Sequence, residues 1–159
     1  MKIFLTVISV FLLVDIKLYD ACSTLLETKF GNYCYFLNDD PLSDFQQAER
    51  FCHMQGGYLV SILSDDENNY IHNRIKYHDF EYDNKEVYIG LTSLNATSGK
   101  YHWVDGSPLK YTNWKKGEPD HPDKRKCVFI EVKGGEWVSG NCITDKLPII
   151  CKRPDPDAS

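Results

Sequence analysis

Residues 43–62 read SDFQQAERFCHMQGGYLVSI. Ser43-Asp44-Phe45-Gln46 has the form of a capping box, in which the Gln46 side chain reaches back to the Ser43 N–H. Phe45, Ala48, Phe51 and Cys52 then recur at spacings of three and four, so they share one helix face. Gly56-Gly57 ends the helix, because glycine enters the left-handed conformation without a steric cost. Residues 58–62 (YLVSI) follow as a short strand. A capped helix that carries a cysteine on its inner face and runs directly into a strand starts a mixed α+β chain.

The same punctuation continues downstream. Ser64-Asp65-Asp66-Glu67 is a second capping box, and its acidic first turn complements the helix dipole. Ile71 and Ile75 lie four apart on the inner face, with Tyr70 beside them. Further strands are expected at residues 87–91 (VYIGL), 101–104 (turning at Asp105-Gly106), 127–132 (CVFIEV), 136–138 and 147–152 (LPIICK). Gly134-Gly135 makes a hairpin of the 127–132 and 136–138 pair, since two glycines allow positive φ. Residues 92–126 form a long, loop-rich region that is too rich in Trp and Tyr to be disordered. It contains the sequon Asn95-Ala96-Thr97, which makes Asn95 a glycosylation candidate on a surface loop. Pro154 and Pro156 mark a flexible tail, residues 154–159.

Length and composition bound the rest. The chain has 159 residues, room for one domain with a sizeable core. Apolar residues make up 42% and charged residues 26%, as in globular proteins. Behind Lys2, residues 3–14 are an apolar run, and a short polar stretch leads to Ala21. This is the layout of a secretory signal peptide over residues 1–21. A membrane span needs about 20 apolar residues, so the run is too short. No later segment is apolar enough, and a secreted, extracellular protein without a membrane anchor is expected. A lipid-modified Cys22 is the rival reading; Tyr19 and Asp20 fit it poorly, and it would strand Cys34.

Six cysteines remain: Cys22, Cys34, Cys52, Cys127, Cys142 and Cys151. An even set in a secreted chain argues for three disulfides, and spacing alone leaves every pairing open. No C-x-x-C and no paired histidines support a zinc site. Net charge is −5, yet residues 110–133 hold seven basic residues against four acidic ones. That is not a nucleic-acid signature, and no nucleic-acid partner is expected. A cationic patch of Lys115, Lys116, Lys124, Arg125 and Lys126 suits an anionic glycan or an acidic protein; a solvated loop is the plainer reading.

Taken in order, these features resemble the C-type lectin-like domain. The resemblance is carried by the helix ending in cysteine and Gly57-Tyr58-Leu59-Val60-Ser61-Ile62, then the acidic second helix. Tyr88-Ile89-Gly90-Leu91 stands where the family has Trp-Ile-Gly-Leu. Trp103-Val104-Asp105-Gly106, Asn113-Trp114 and Gly117-Glu118-Pro119-Asp120 follow. Last come Cys127, Trp137 five residues before Cys142, and Ile150-Cys151. The domain so identified covers residues 22–153. It implies an α+β fold with two helices, small antiparallel sheets and a long loop region. It also implies the pairs Cys22–Cys34, in an N-terminal hairpin, Cys52–Cys151 and Cys127–Cys142. Closing a loop of about 100 residues is worth on the order of 4–5 kcal/mol in the chain-entropy model.

Sugar-binding members of the family hold calcium in the long loop. The resemblance places Glu118 and Asp120 as oxygen ligands and Pro119 as a cis proline that aims them. Calcium takes six to eight oxygens, and here the set departs from the family. Arg125 stands where a glutamate is usual, two residues before Cys127. Trp137 continues as Val138-Ser139 in place of Asn-Asp. A guanidinium cannot ligate a cation and valine brings no side-chain oxygen. Lys124-Arg125-Lys126 would repel the ion, and Asp123 compensates only in part. Calcium is thus the candidate cofactor of a site that looks degraded, with Glu118, Pro119, Asp120, Lys124, Arg125 and Lys126 as ligand-binding candidates.

The expected function is extracellular recognition of carbohydrate with calcium dependence weakened or lost. The alternative is a calcium-independent protein-binding or inhibitory module. Catalysis is not expected: there is no H-E-x-x-H, no G-x-S-x-G and no phosphate loop, and three disulfides leave no free thiol. A paired-carboxylate glycosidase would need a cleft between lobes that one small domain does not offer.

Overall fold

The computed structural model describes residues 22, 27–80, 85–97 and 99–158, so the expected signal segment lies outside the described residues. Helix α1 is Phe45–Met54 and helix α2 is Asp65–Lys76. The cap of α1 is Asp44, not Ser43: its Oδ1 accepts the Gln47 N–H at 2.7 Å. Asp44 is still extended and paired with Ile143, so the first helical turn starts one residue later than the box implied. Phe45, Ala48 and Cys52 are buried as their spacing requires, and Phe51 packs on Phe36. Gly56 ends the helix at φ +78°. At α2 the cap is Ser64, whose hydroxyl accepts the Glu67 N–H at 3.2 Å. Glu67 does not close the box on Ser64. Its Oε2 accepts from Leu63 N–H at 2.8 Å, and its Oε1 turns into the protein.

The strands are β1 Glu27–Phe30, β2 Tyr33–Asp44, β3 Tyr58–Leu59, β4 Glu86–Thr92, β5 His102–Trp103, β6 Cys127–Glu131, β7 Trp137–Gly140 and β8 Ile143–Pro154. They run in the order β1-β2-β8-β4-β6-β7, with β3 on β8 and β5 on β4. Pairing is antiparallel except between β4 and β8, which meet in parallel at Tyr88 and Ile149. That contact joins what the sequence suggested as small separate sheets. β3 is shorter than the apolar run 58–62 because the chain then crosses between two strands. Val60 donates to Ile150 O at 3.0 Å and accepts from Gly90 N–H at 2.8 Å. Gly90 is required there, since a Cβ would lie 2.5 Å from Leu59 O.

Ile62, Ile71, Ile75, Ile89, Trp103 and Trp137 fill the core on the α2 side. Phe45, Tyr88, Phe129 and Ile149 pack around Cys52–Cys151 on the α1 side. All three disulfides are paired as the resemblance implies. The C-terminus differs from the expected loose tail: Pro154 still belongs to β8, Asp155 N–H donates to Asn32 O at 2.9 Å, and its buried carboxylate pairs with Lys29. A hairpin to dock on outweighs the prolines there.

Candidate functional site

The long loop is held from below by rings. Trp137 is fully buried and meets Trp103, Tyr111 and Trp114 edge-on, at centroid distances of 5.5, 5.7 and 5.8 Å. Edge-to-face contacts of this kind add specificity to simple burial. The loop backbone then pairs with β7: Trp137 N–H donates to Asn113 O at 2.8 Å and Lys115 N–H to Trp137 O at 2.9 Å. This register carries Glu118 across to Ser139, two residues along β7. Cys127–Cys142 ties the start of β6 to the end of that strand.

The Glu118–Pro119 peptide is cis. Glu118 Oε2 accepts from the Ser139 hydroxyl at 2.5 Å, from Ser139 N–H at 2.9 Å and from Asp120 N–H at 3.0 Å. Its Oε1 lies 3.9 Å from the Arg125 guanidinium. Asp120 Oδ2 is 3.4 Å from the same guanidinium, and its Oδ1 is 2.5 Å from His121 Nδ1. Arg125 thus stands between the two carboxylates, and Tyr101 OH holds its carbonyl at 2.5 Å. Pro119 is exposed, and so are Asp123 and Lys124; Lys126 is half-buried.

Partial burial alone would raise the Glu118 carboxyl. The Ser139 and Asp120 hydrogen bonds and Arg125 outweigh it and hold the group below its usual 4.5. Asp120 is also lowered, first by its hydrogen bond to His121 and then by Arg125. A carboxyl depressed by folding contributes stability that is fully present above its unfolded value and lost as pH falls through the folded one. Glu118→Gln should therefore be less stable than the parent at pH 6, with the gap closing below the ordinary 4.5 of a glutamate. Thermal melts of both proteins from pH 6 to pH 3 check this, and parallel acid profiles would refute it.

Beside the carboxylates opens a cleft of about 740 Å³. Lys115, Lys116, Lys124 and Arg125 line it together with Glu118 and Ser139. Lys126 does not: the chain is already joining β6 there, and its carbonyl accepts from Ser93 N–H and the Thr92 hydroxyl, both at 2.8 Å. The sequence reading missed Ser139, the residue that fixes both Glu118 and Asp120. Its signal was visible only as a departure, the Val-Ser that replaces Asn-Asp. Among the described residues no three His, Cys, Asp or Glu ligand atoms converge at Glu118 and Asp120. The one such grouping is Cys22, Cys34 and Asp155, whose sulfurs are bonded to each other. Asn95 is exposed at a turn with φ +58°.

The Lectin C-type domain profile matches residues 42–153. C-type mannose receptor 2 of Homo sapiens is 34% identical over 121 residues, covering 76% of this chain; the match spans only 8% of the receptor's length. Lithostathine of Rattus norvegicus is 33% identical over 126 residues, covering 77% of this chain and 73% of the relative. The carbohydrate-recognition domain of cow CD23, crystallised in the presence of a GlcNAc2Man3 oligosaccharide, superposes with a TM-score of 0.71 at 27% identity, covering 84% of this chain and 97% of that one. With its three disulfides, its helix pair and a profile match over most of its length, the chain belongs to the C-type lectin domain family.

Proposed function

We propose that this is a secreted recognition protein that binds saccharide without a bridging calcium ion. The observation that carries the reading is the Arg125 guanidinium between Glu118 and Asp120, at 3.9 and 3.4 Å. Calcium would need most of its six to eight oxygens from this loop. Glu118 Oε2 is already saturated by three donors, the two Asp120 oxygens are taken by the His121 ring and the Arg125 guanidinium, and Val138 is apolar. These residues do not fit the ion. Arg125 compensates the charge that calcium neutralises in a metal-dependent site, so the loop keeps its shape without the metal.

Several features support the rest. The similar cow domain was crystallised with an oligosaccharide, and the cleft at Glu118 lies on the long loop. Three disulfides suit an oxidising compartment. No helix among the described residues is long and apolar enough to cross a membrane. Asn95, exposed within its sequon, is the position a glycan would occupy.

The test is a thermal melt and calorimetric titration in calcium and in chelator, followed by a glycan array in chelator. No heat, no shift in melting temperature and saccharide binding that persists in chelator are expected. A melting temperature raised by calcium would overturn the metal-free reading. An array without bound glycans would favour the alternative, a protein-binding module.

A further inference from the structure

We infer that the cleft beside Glu118 takes an anionic saccharide, one bearing sulfate or carboxylate groups, through Lys116, Lys124 and Arg125. The inference rests on the proposed recognition of saccharide and names its class. It follows from the cations the cleft leaves uncompensated. Lys115 is neutralised by Glu131, with Nζ and Oε1 2.6 Å apart. Arg125 is shared between two carboxylates at distances longer than a direct charge-assisted hydrogen bond, so its planar fork keeps donors to offer. Lys116 and Lys124 both line the cleft, both are exposed, and neither makes an ion pair among the described residues.

The carboxylates present do not cancel this. Glu118 is turned onto Ser139 and Asp120 by its three hydrogen bonds. On the far wall, Glu131 is paired with Lys115, and burial and then the nearby Glu131 push the Glu86 carboxyl upward. The cleft's form favours a saccharide over an acidic protein. At about 740 Å³ it is an open cleft within the size range of small-ligand sites. Its wall includes the exposed Asn141, whose amide nitrogen can meet sugar hydroxyls, while Phe129 and Val138 lie buried beneath it. Ammonium groups beside such an amide match a ring that carries both hydroxyls and charged substituents.

The experiment compares a dextran sulfate oligomer with neutral dextran of the same length, by calorimetry in chelator. The full-length oxidised protein is used at low salt and at 0.3 M salt. The sulfated oligomer should bind at least about tenfold more tightly, with most of the advantage lost at high salt, where screening is within a few ångströms. Lys116→Glu and Lys124→Glu should each weaken it about tenfold or more. Lys110→Glu, an identical charge change outside the cleft, should leave it nearly unchanged. Equal, salt-insensitive binding of both oligomers would overturn the anionic class while leaving metal-free saccharide recognition standing. An equal loss in Lys110→Glu would overturn the cleft, showing that overall charge alone drives binding. Binding of neither oligomer, together with an empty glycan array, would remove both readings at once.

Discussion

Glu67→Ala should cost about 3–5 kcal/mol of folding stability, the usual penalty for removing one partner of a buried ion pair. Glu67 and Lys152 side chains are 7% and 5% exposed, and Lys152 Nζ lies 2.7 Å from Glu67 Oε1. The same oxygen accepts from the Tyr35 hydroxyl at 2.6 Å. Burial, then the bond to Glu67, push that phenol far above its ordinary range, so it stays a donor. Among the described residues the ammonium is otherwise met by Ser61, through its carbonyl at 3.1 Å and its hydroxyl at 3.3 Å, and by the Tyr33 and Tyr35 rings. Truncating Glu67 leaves a charge among neutral groups, deprives Tyr35 and Leu63 N–H of their acceptor, and opens a void at the start of α2. Because Glu67 on α2, Lys152 on β8 and Tyr35 on β2 meet here, the damage reaches three elements. Urea unfolding of the oxidised protein measures it. The double variant Glu67→Leu with Lys152→Met separates charge from packing: it should recover most of the loss, since replacing both partners by apolar groups is often neutral. A single-variant loss below about 1 kcal/mol, the range of exposed pairs, would mean that water reaches this site.

Glu67 also shows where the sequence was readable and where it was not. Its place in Ser64-Asp65-Asp66-Glu67 announced a helix start, and α2 begins there. Nothing local announced that the carboxylate would serve Lys152, 85 residues away. Elements written in short-range patterns came through: both helices, the Gly134-Gly135 hairpin and the strand around Tyr88. β1 and β2 carry no alternation. Cys34 and Tyr35 are adjacent and both fully buried, because β2 packs on both faces, and only the family resemblance called for a hairpin there. At the site, Glu118, Asp120 and Arg125 were visible as a motif and a departure from it. That Arg125 would stand between the two carboxylates, and that Ser139 would cap Glu118, depends on how the loop crosses β7. Lys124-Arg125-Lys126 looked like one patch, yet the start of β6 separates Lys126 from the cleft.

The loop's dependence on β7 makes Trp137 the second position of large effect. Trp137→Ala should cost about 3–5 kcal/mol. The ring is fully buried against Trp103, Tyr111 and Trp114, so little can collapse into the space it leaves. Its N–H donates to Asn68 Oδ1 at 2.8 Å, and Asn68 in turn donates to Gly135 O at 3.0 Å. Trp137→Phe keeps much of the packing and deletes only that donor; about 1–3 kcal/mol is expected for the orphaned amide oxygen. The consequence should be uneven across the molecule. Glu118, Lys115 and Lys116 reach the cleft through a loop paired to β7 at Trp137 itself, whereas Val60 bonds to Ile150 and Gly90 between the central strands β8 and β4. Hydrogen exchange in Trp137→Ala should therefore quicken first at the Lys115 and Ser139 amides, with Val60 still protected, as expected when one cooperative unit opens below the global free energy. Exchange that quickens equally at Val60 would show the long loop and the two-helix core to be a single unit. In the expected case the rings beneath the long loop are what hold it on β7.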